Sequence, residues 1–224
     1  VVGCIQSYER NSSLRFFYQP FVNDKLYDDI LLLPPEFYPN TIGVDDLNRD
    51  GKDDIVVSYQ WGNEVYIFYQ KTTGGFSDTP SVVLKTGENP TSIAINDLNC
   101  DGLKDIVVTR VLNSSVPVFY QKSGGGFGAT PNITLTAGSG YTAVPMIAKL
   151  NNDARNDVAV SVWGETYIFY QTKTNQLPTS ANLTLTDSGP TVDSVVGKIN
   201  NDDLIDVVTA NWTAVHVFYQ ELPD

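Results

Sequence analysis

The sequence predicts an all-β chain built on a repeat of about 50 residues, and three observations carry that expectation. The string Phe-Tyr-Gln recurs at Phe17-Tyr18-Gln19, Phe68-Tyr69-Gln70, Phe119-Tyr120-Gln121, Phe169-Tyr170-Gln171 and Phe218-Tyr219-Gln220. Four times an apolar stretch leads into a polar loop and then into a β-branched strand, as in Ile55-Val56-Val57 or Ile106-Val107-Val108. No long stretch shows helical periodicity. A repeat of this length, made of short strands, is the signature of a propeller blade. The expectation is a β-propeller of about five blades, a single domain over residues 1–224 with units 1–40, 41–90, 91–141, 142–190 and 191–224.

Within one period four strands are read, taken here from the second unit. Strand a is Thr41–Val44, and a polar loop joins it to strand b, Asp54–Tyr59. A short turn leads to strand c, Val65–Gln70, and the Gly-rich hairpin Thr73-Gly74-Gly75-Phe76 leads to strand d, Ser81–Lys85. The strands are apolar on both faces, as sheets sandwiched between other sheets require. Residues 1–33 hold b, c and d without a, whereas residues 191–220 hold a, b and c without d. Either two three-stranded blades close a five-bladed ring, or the chain is part of a longer propeller. Open strand edges in the first case invite pairing with another chain.

The a–b loops carry the chemistry. In the second unit Asp46, Asn48, Asp50 and Asp54 stand at loop positions 1, 3, 5 and 9, with Gly51 at position 6. The third unit repeats the pattern with Asp97, Asn99, Asp101, Gly102 and Asp105. The position 7 carbonyls of Lys52 and Leu103 complete an all-oxygen shell of the kind that Ca²⁺ prefers. Because each loop runs into a strand, these are expected calcium loops of a β-repeat, two ions per chain, with a structural role.

The fourth and fifth units keep the loop shape and change its ligands. They present Lys149, Asn151, Asp153 and Asp157, and Lys198, Asn200, Asp202 and Asp206, with Lys at position 1 and no Gly at position 6. Two readings are open: decay of a calcium site, or replacement of the cation by an ammonium. In the favoured second reading Lys149 pairs with Asp153 and Asp157, and Lys198 with Asp202 and Asp206.

With its two loops, its repeat length and the segment Gly126-Phe127-Gly128-Ala129-Thr130-Pro131, the chain resembles the FG-GAP (VCBS) repeats of integrin α-subunit propellers and related fungal lectins. The resemblance implies the fold and calcium. It does not imply one function, because this repeat serves adhesion receptors, lectins and structural proteins alike.

A net charge of −12 argues against nucleic acid as a partner, and the longest apolar run, residues 30–35, is far too short to span a bilayer. Sequons at Asn11, Asn113, Asn132, Asn182 and Asn211 favour a secreted glycoprotein. A start at Val1 with no signal sequence reads as a processed or partial chain. Cys4 and Cys100 are the cysteines, and in an oxidising compartment they are expected to pair. They belong to non-adjacent units, so the bond is either between molecules or within one through an unusual N-terminal path.

Trp61, Trp163 and Trp212 fall near b–c hairpins. They are read either as stacking platforms for sugar rings or, preferentially, as buried packing residues. His216 lacks a partner nucleophile, and no catalytic constellation is found, so the chain is expected not to be an enzyme. The function expected is an extracellular assembly protein that self-associates through blade edges, with a lectin or adhesion module, or a fragment of a larger receptor-like propeller, as alternatives.

Overall fold

The computed structural model describes residues 2–5, 13–17, 28–32, 39–59, 61–111, 113–138, 140 and 142–221; before residue 39 and over residues 142–144 it describes backbone alone. Among these residues five antiparallel sheets follow one another along the chain. The first holds β1 (Val2–Ile5), β2 (Ser13–Phe17) and β3 (Asp28–Leu32). The second holds β4 (Pro39–Asp45), β5 (Asp54–Tyr59), β6 (Glu64–Phe68) and β7 (Val82–Lys85). The third holds β8 (Pro90–Asn96), β9 (Asp105–Arg110), β10 (Ser115–Phe119) and β11 (Ile133–Thr136). The fourth holds β12 (Thr142–Ala148), β13 (Asp157–Val162), β14 (Glu165–Phe169) and β15 (Leu183–Thr186). The last holds β16 (Thr191–Gly197), β17 (Asp206–Asn211) and β18 (Val215–Phe218). Strands pair in sequence order within every sheet, so the expected repeat, its phase and its two three-stranded ends are all present.

The core lies between sheets. Leu47, Val56, Ile67 and Leu84 of the second sheet cluster with Ile106 and Phe119 of the third. Leu98, Val107, Val118 and Leu135 of the third meet Val158 and Phe169 of the fourth. Met146, Ala159 and Ile168 of the fourth meet Val207 and Phe218 of the fifth. Second strands are therefore buried on both faces, which explains their β-branched composition. Phe68, Phe119 and Phe169, the repeated Phe of Phe-Tyr-Gln, are essentially inaccessible, each burial being worth roughly 2–3 kcal/mol.

The last residue of each polar loop organises its unit. Asp54, Asp105, Asp157 and Asp206 are completely buried, and each carboxylate accepts two backbone N–H bonds. Asp54 takes them from Leu47 and Gln70, both at 2.9 Å. Asp105 takes them from Leu98 at 2.8 Å and Gln121 at 2.9 Å. Asp157 is bonded by Leu150 at 2.8 Å and Gln171 at 2.7 Å, and Asp206 by Ile199 at 3.0 Å and Gln220 at 2.9 Å. One carboxylate thus ties the start of the a–b loop to the end of strand c. A second link joins units: Gln121 Nε2 donates to the Leu47 carbonyl, and Gln171 Nε2 to the Leu98 carbonyl.

Substituting Asp157→Ala leaves two buried N–H groups without acceptors, at about 1–3 kcal/mol each. Urea denaturation is expected to show a loss of about 2–4 kcal/mol, with almost none for the half-exposed Asp153→Ala. Equal losses for the two variants would contradict the role given to the buried carboxylate.

Candidate functional site

The a–b loops lie at one end of the sheets and the b–c hairpins at the other, as the antiparallel order dictates. In the second unit Asp46 accepts N–H bonds from Asp50 at 3.2 Å and Gly51 at 2.9 Å, and Asn48 accepts from Asp50 at 2.9 Å. Asp50 accepts from Lys52 at 2.9 Å. The third unit reproduces this pattern: Asp97 accepts from Asp101 at 3.2 Å and Gly102 at 2.8 Å, Asn99 from Asp101 at 3.0 Å, and Asp101 from Leu103 at 2.8 Å. Gly51 and Gly102 adopt φ of 80° and 79°, which position 6 needs to turn its N–H onto the position 1 carboxylate. Position 1 and position 6 therefore act as a pair.

Burial pushes the Asp54 carboxyl above its usual range against the pull of its N–H bonds, and Asp50 and Asp46 add repulsion. Asp105 is pushed up to about 6, again by burial first, with Asp101 adding to the effect. Both loops thus gather carboxylates whose mutual repulsion a cation relieves. Among the described residues no three Asp, Glu, His or Cys side chains converge as a ready-made metal cluster. The donor set is instead mixed, with an amide (Asn48 or Asn99) and a carbonyl (Lys52 or Leu103) beside the carboxylates. Gln121 Oε1 and Gln171 Oε1, on side chains anchored to these same two loops, are buried without a hydrogen-bond partner. An all-oxygen donor set beside orphaned acceptors fits a hard cation.

The fourth and fifth loops depart from expectation. Lys149 is exposed and makes no ion pair among the described residues. Asp153 is instead paired by Arg155, whose backbone N–H donates at 2.7 Å and whose Nη1 donates at 2.9 Å. Lys198 reaches Asp203 at 2.7 Å, not Asp202 or Asp206. Asp157 and Asp206 are fully buried beneath their loops and each accepts two backbone N–H bonds, so an ammonium would have to give up its water to reach them. The remaining carboxylates lie near the surface, where an ammonium keeps its water. Asn200 Nδ2 bonds Asp202 at 2.7 Å, and Asn151 accepts from Asp153 at 3.1 Å. Without the position 1 acceptor the backbone changes too: positive φ persists at Asn152 in one loop and at Asp203 in the other, not at positions 4 and 6 together.

The tryptophans correct a second expectation. Trp61, Trp163 and Trp212 are 68%, 53% and 77% exposed, so they are not buried packing residues. All three sit at the hairpin end, opposite the loops. Trp163 forms a two-residue turn with Gly164 between paired Val162 and Glu165, and both turn residues have positive φ, 35° and 87°. Such a backbone is unfavourable for a bulky side chain.

Asn132 and Asn182 are exposed at the entrance to d strands, where Oδ1 accepts the N–H of Tyr120 at 2.8 Å and of Tyr170 at 2.7 Å. Asn113 and Asn211 brace b–c hairpins through Oδ1, bonding Ser115 and Thr213, each at 2.9 Å. Asn11 lies outside the described residues. Among the described residues Cys100 is an exposed free thiol; the side chain of Cys4, on β1, lies outside them. His216 is half-buried with Nε2 3.3 Å from Asn211 Nδ2.

What sequence reasoning missed is the Gln of Phe-Tyr-Gln and an open face. Gln121 and Gln171 link units, and their strict recurrence was the signal. The outer face of the last sheet exposes Ile199 (48%), Val215 (67%) and Val217 (36%). Their counterparts Leu47, Val65 and Ile67 in the second sheet are fully buried against the third.

A family profile described as an FG-GAP-like repeat matches twice, at residues 46–108 and 97–160, about half of the chain. Mouse and Chinese hamster (Cricetulus griseus) integrin alpha-3 are each 29% identical over 103 residues, 40% of this chain and 10% of theirs. A functionally unknown protein from Desulfotomaculum acetoxidans superposes with a TM-score of 0.63 at 11% identity, covering 98% of this chain and 72% of that one. BBS1N, solved in complex with ARL6DN, superposes at 0.59 with 14% identity, over 99% and 66%. These structural likenesses concern the fold.

The Asp157 carboxyl, like that of Asp105, is pushed up by burial to about 6 from 3.8. A carboxyl whose folded pKa is raised holds its proton longer in the folded state, so its contribution is full below the unfolded value and is lost as pH rises through the folded one. In chelator, Tm is expected to fall between about pH 4 and 6, and Asp157→Asn should flatten that slope. An unchanged slope would remove Asp157 as its source.

Proposed function

Because the chain belongs to the FG-GAP-like repeat family, we propose that it is an extracellular, calcium-stabilised, N-glycosylated β-propeller that works through protein–protein contact and assembles through its open edges and faces. The observation that carries this reading is the last sheet's exposed apolar face. Ile199, Val215 and Val217 present to solvent the positions that bury the next sheet elsewhere in the chain. β18 is in addition an edge strand, paired with β17 on one side only among the described residues. The mouse and hamster integrin alpha-3 relatives and the repeated sequons support the extracellular setting. The exposed Cys100 thiol supports covalent joining to Cys4 of a second molecule. The proposed role needs no catalytic chemistry.

Calcium enters the proposal at the second and third loops, held by Asp46, Asn48, Asp50, Lys52 and Asp54, and by Asp97, Asn99, Asp101, Leu103 and Asp105. Bound there, it neutralises clustered carboxylates and stiffens the loop end. Arg49 Nη2 to the Gly102 carbonyl (2.7 Å) and Lys104 to Asp45 (3.0 Å) couple the two loops, so each ion also braces its neighbour.

A second reading, carbohydrate binding at the hairpin end, is favoured by the exposed tryptophans and by the strained turn at Trp163. Trp163→Ala should abolish retention on a glycan array that binds the parent protein. Array binding that survives the substitution would remove Trp163 from that reading.

Equilibrium dialysis should find two Ca²⁺ per chain, one after Asp97→Ala and two after Asp153→Ala. Calcium should raise Tm and chelation lower it. Finding no bound calcium, or four ions, would overturn the assignment. Native mass in calcium should show oligomers that shrink with reductant or with Cys100→Ser. A lone glycosylated chain under all conditions would reject assembly.

A further inference from the structure

Asn132 and Asn182 occupy one position of the repeat, immediately before β11 and β15, and Ser81 occupies the same position before β7. Each of the three is tied twice to the end of strand c. The backbone N–H donates to the carbonyl of Ile67, Val118 or Ile168, at 2.7, 2.9 and 2.8 Å for Ser81, Asn132 and Asn182. The side-chain oxygen accepts the N–H of the repeated Tyr, from Tyr69 at 3.1 Å, Tyr120 at 2.8 Å and Tyr170 at 2.7 Å. A serine hydroxyl therefore satisfies this position in the second unit. The bond needs an oxygen and makes no use of an amide nitrogen.

In the third and fourth units that nitrogen is present on an exposed side chain. With Oδ1 turned onto the Tyr N–H, the planar amide directs Nδ2 the other way, and no acceptor among the described residues holds it. Each Asn also heads a sequon, Asn132-Ile133-Thr134 or Asn182-Leu183-Thr184, whereas the second unit reads Ser81-Val82-Val83 and has none. Strand alternation puts the Asn and the Thr of each sequon on one face, and Thr134 and Thr184 are exposed there. Asn211, in Asn211-Trp212-Thr213, is arranged in the opposite way. Its Oδ1 accepts from Thr213 Oγ1 at 2.9 Å and from the Ala214 N–H at 2.8 Å. Its Nδ2 donates to the Ser188 carbonyl at 3.1 Å and lies 3.3 Å from His216 Nε2. Both amide hydrogens and the sequon hydroxyl are thus engaged within the protein. Asn113 lies between the two cases, bracing its hairpin through Oδ1.

We propose that Asn132 and Asn182 are asparagines at which the folded protein carries N-linked glycans, and that Asn211 is a structural strut left bare. This names modification sites within the extracellular reading and rests on it. The donor is an oligosaccharide carried on a lipid diphosphate. The bond from its anomeric carbon to the diphosphate oxygen breaks, a bond forms from that carbon to Nδ2, and Nδ2 releases one proton to solvent. The lipid diphosphate is the leaving group, and nothing is oxidised or reduced. At Asn132 and Asn182 the product keeps Oδ1 and with it the bond to the Tyr N–H, so each unit accommodates its sugar with the fold unchanged. At Asn211 the sugar displaces a hydrogen directed at Ser188 or His216. It must also fit beside Gly189, where a Cβ would already lie 3.6 Å from Nδ2.

The test is to secrete the full chain from a eukaryotic cell line behind a cleavable signal peptide and to map its glycopeptides by mass spectrometry. Glycans are expected at Asn132 and Asn182 and none at Asn211. Asn132→Ser and Asn132→Ala should each lose the same glycan, with the Ser variant keeping the higher Tm because a hydroxyl makes the same bond at Ser81. The corresponding pair at Asn182 should behave alike. Recovery of Asn132 or Asn182 unmodified overturns the proposal, as does a glycan on Asn211. Equal Tm for the Ser and Ala variants overturns the anchoring through Oδ1 on which it stands. Because the signal peptide delivers the chain to the modifying enzyme, bare sites count against the proposal and not against the extracellular reading. Glycans at both places on a chain that never oligomerises defeat assembly and leave the sites standing.

Discussion

A carboxylate with no exposure to water has to be bonded on both oxygens or it costs more than the fold can spare. Asp54, Asp105, Asp157 and Asp206 meet that demand in the same way, each drawing one N–H from the start of its polar loop and one from the Gln that ends strand c. That geometry sets the closing angle of every a–b loop. It also places the Leu47 and Leu98 carbonyls where the next unit's Gln can bond them. Loop shape, strand order and the join between units rest on one buried acid per repeat.

The arrangement explains how loop chemistry can change while the fold does not. Lys at position 1 and Ala154 or Asp203 at position 6 remove the acceptor and the glycine turn together, and the backbone of those loops changes path. Asp157 and Asp206 nevertheless keep their two N–H bonds, so the units remain in register with their neighbours. Loop chemistry and blade architecture are separable: positions 1, 3, 5 and 6 set the ligands and the turn that the calcium proposal uses, and position 9 belongs first to the architecture.

The chain also presents two chemically different ends. Carboxylates, amides and carbonyls gather at the loop end, whereas three exposed indoles stand at the hairpin end. Among the described residues the last sheet adds a third surface, apolar and flanked by the open edge of β18. Surfaces of this kind suit recognition of macromolecules, in keeping with a repeat that other proteins use for contact.

The sequence by itself determined the repeat, the strand order, the three complete and two incomplete units and the two loops rich in oxygen ligands. These depend on local periodicity and on the sterics of β-branched residues, glycine and Asx side chains, all of which act within a few residues. Tertiary structure alone decided what position 9 bonds, where Lys149 and Lys198 point, and whether the tryptophans are buried. It also decided the irregular register at the start of β4, β8, β12 and β16, which no sequence period marks. Those outcomes turn on competition for partners: a buried position 9 Asp meets two backbone amides before a surface lysine can reach it, and each oxygen keeps a second lone pair. That burial exists only after neighbouring sheets have packed.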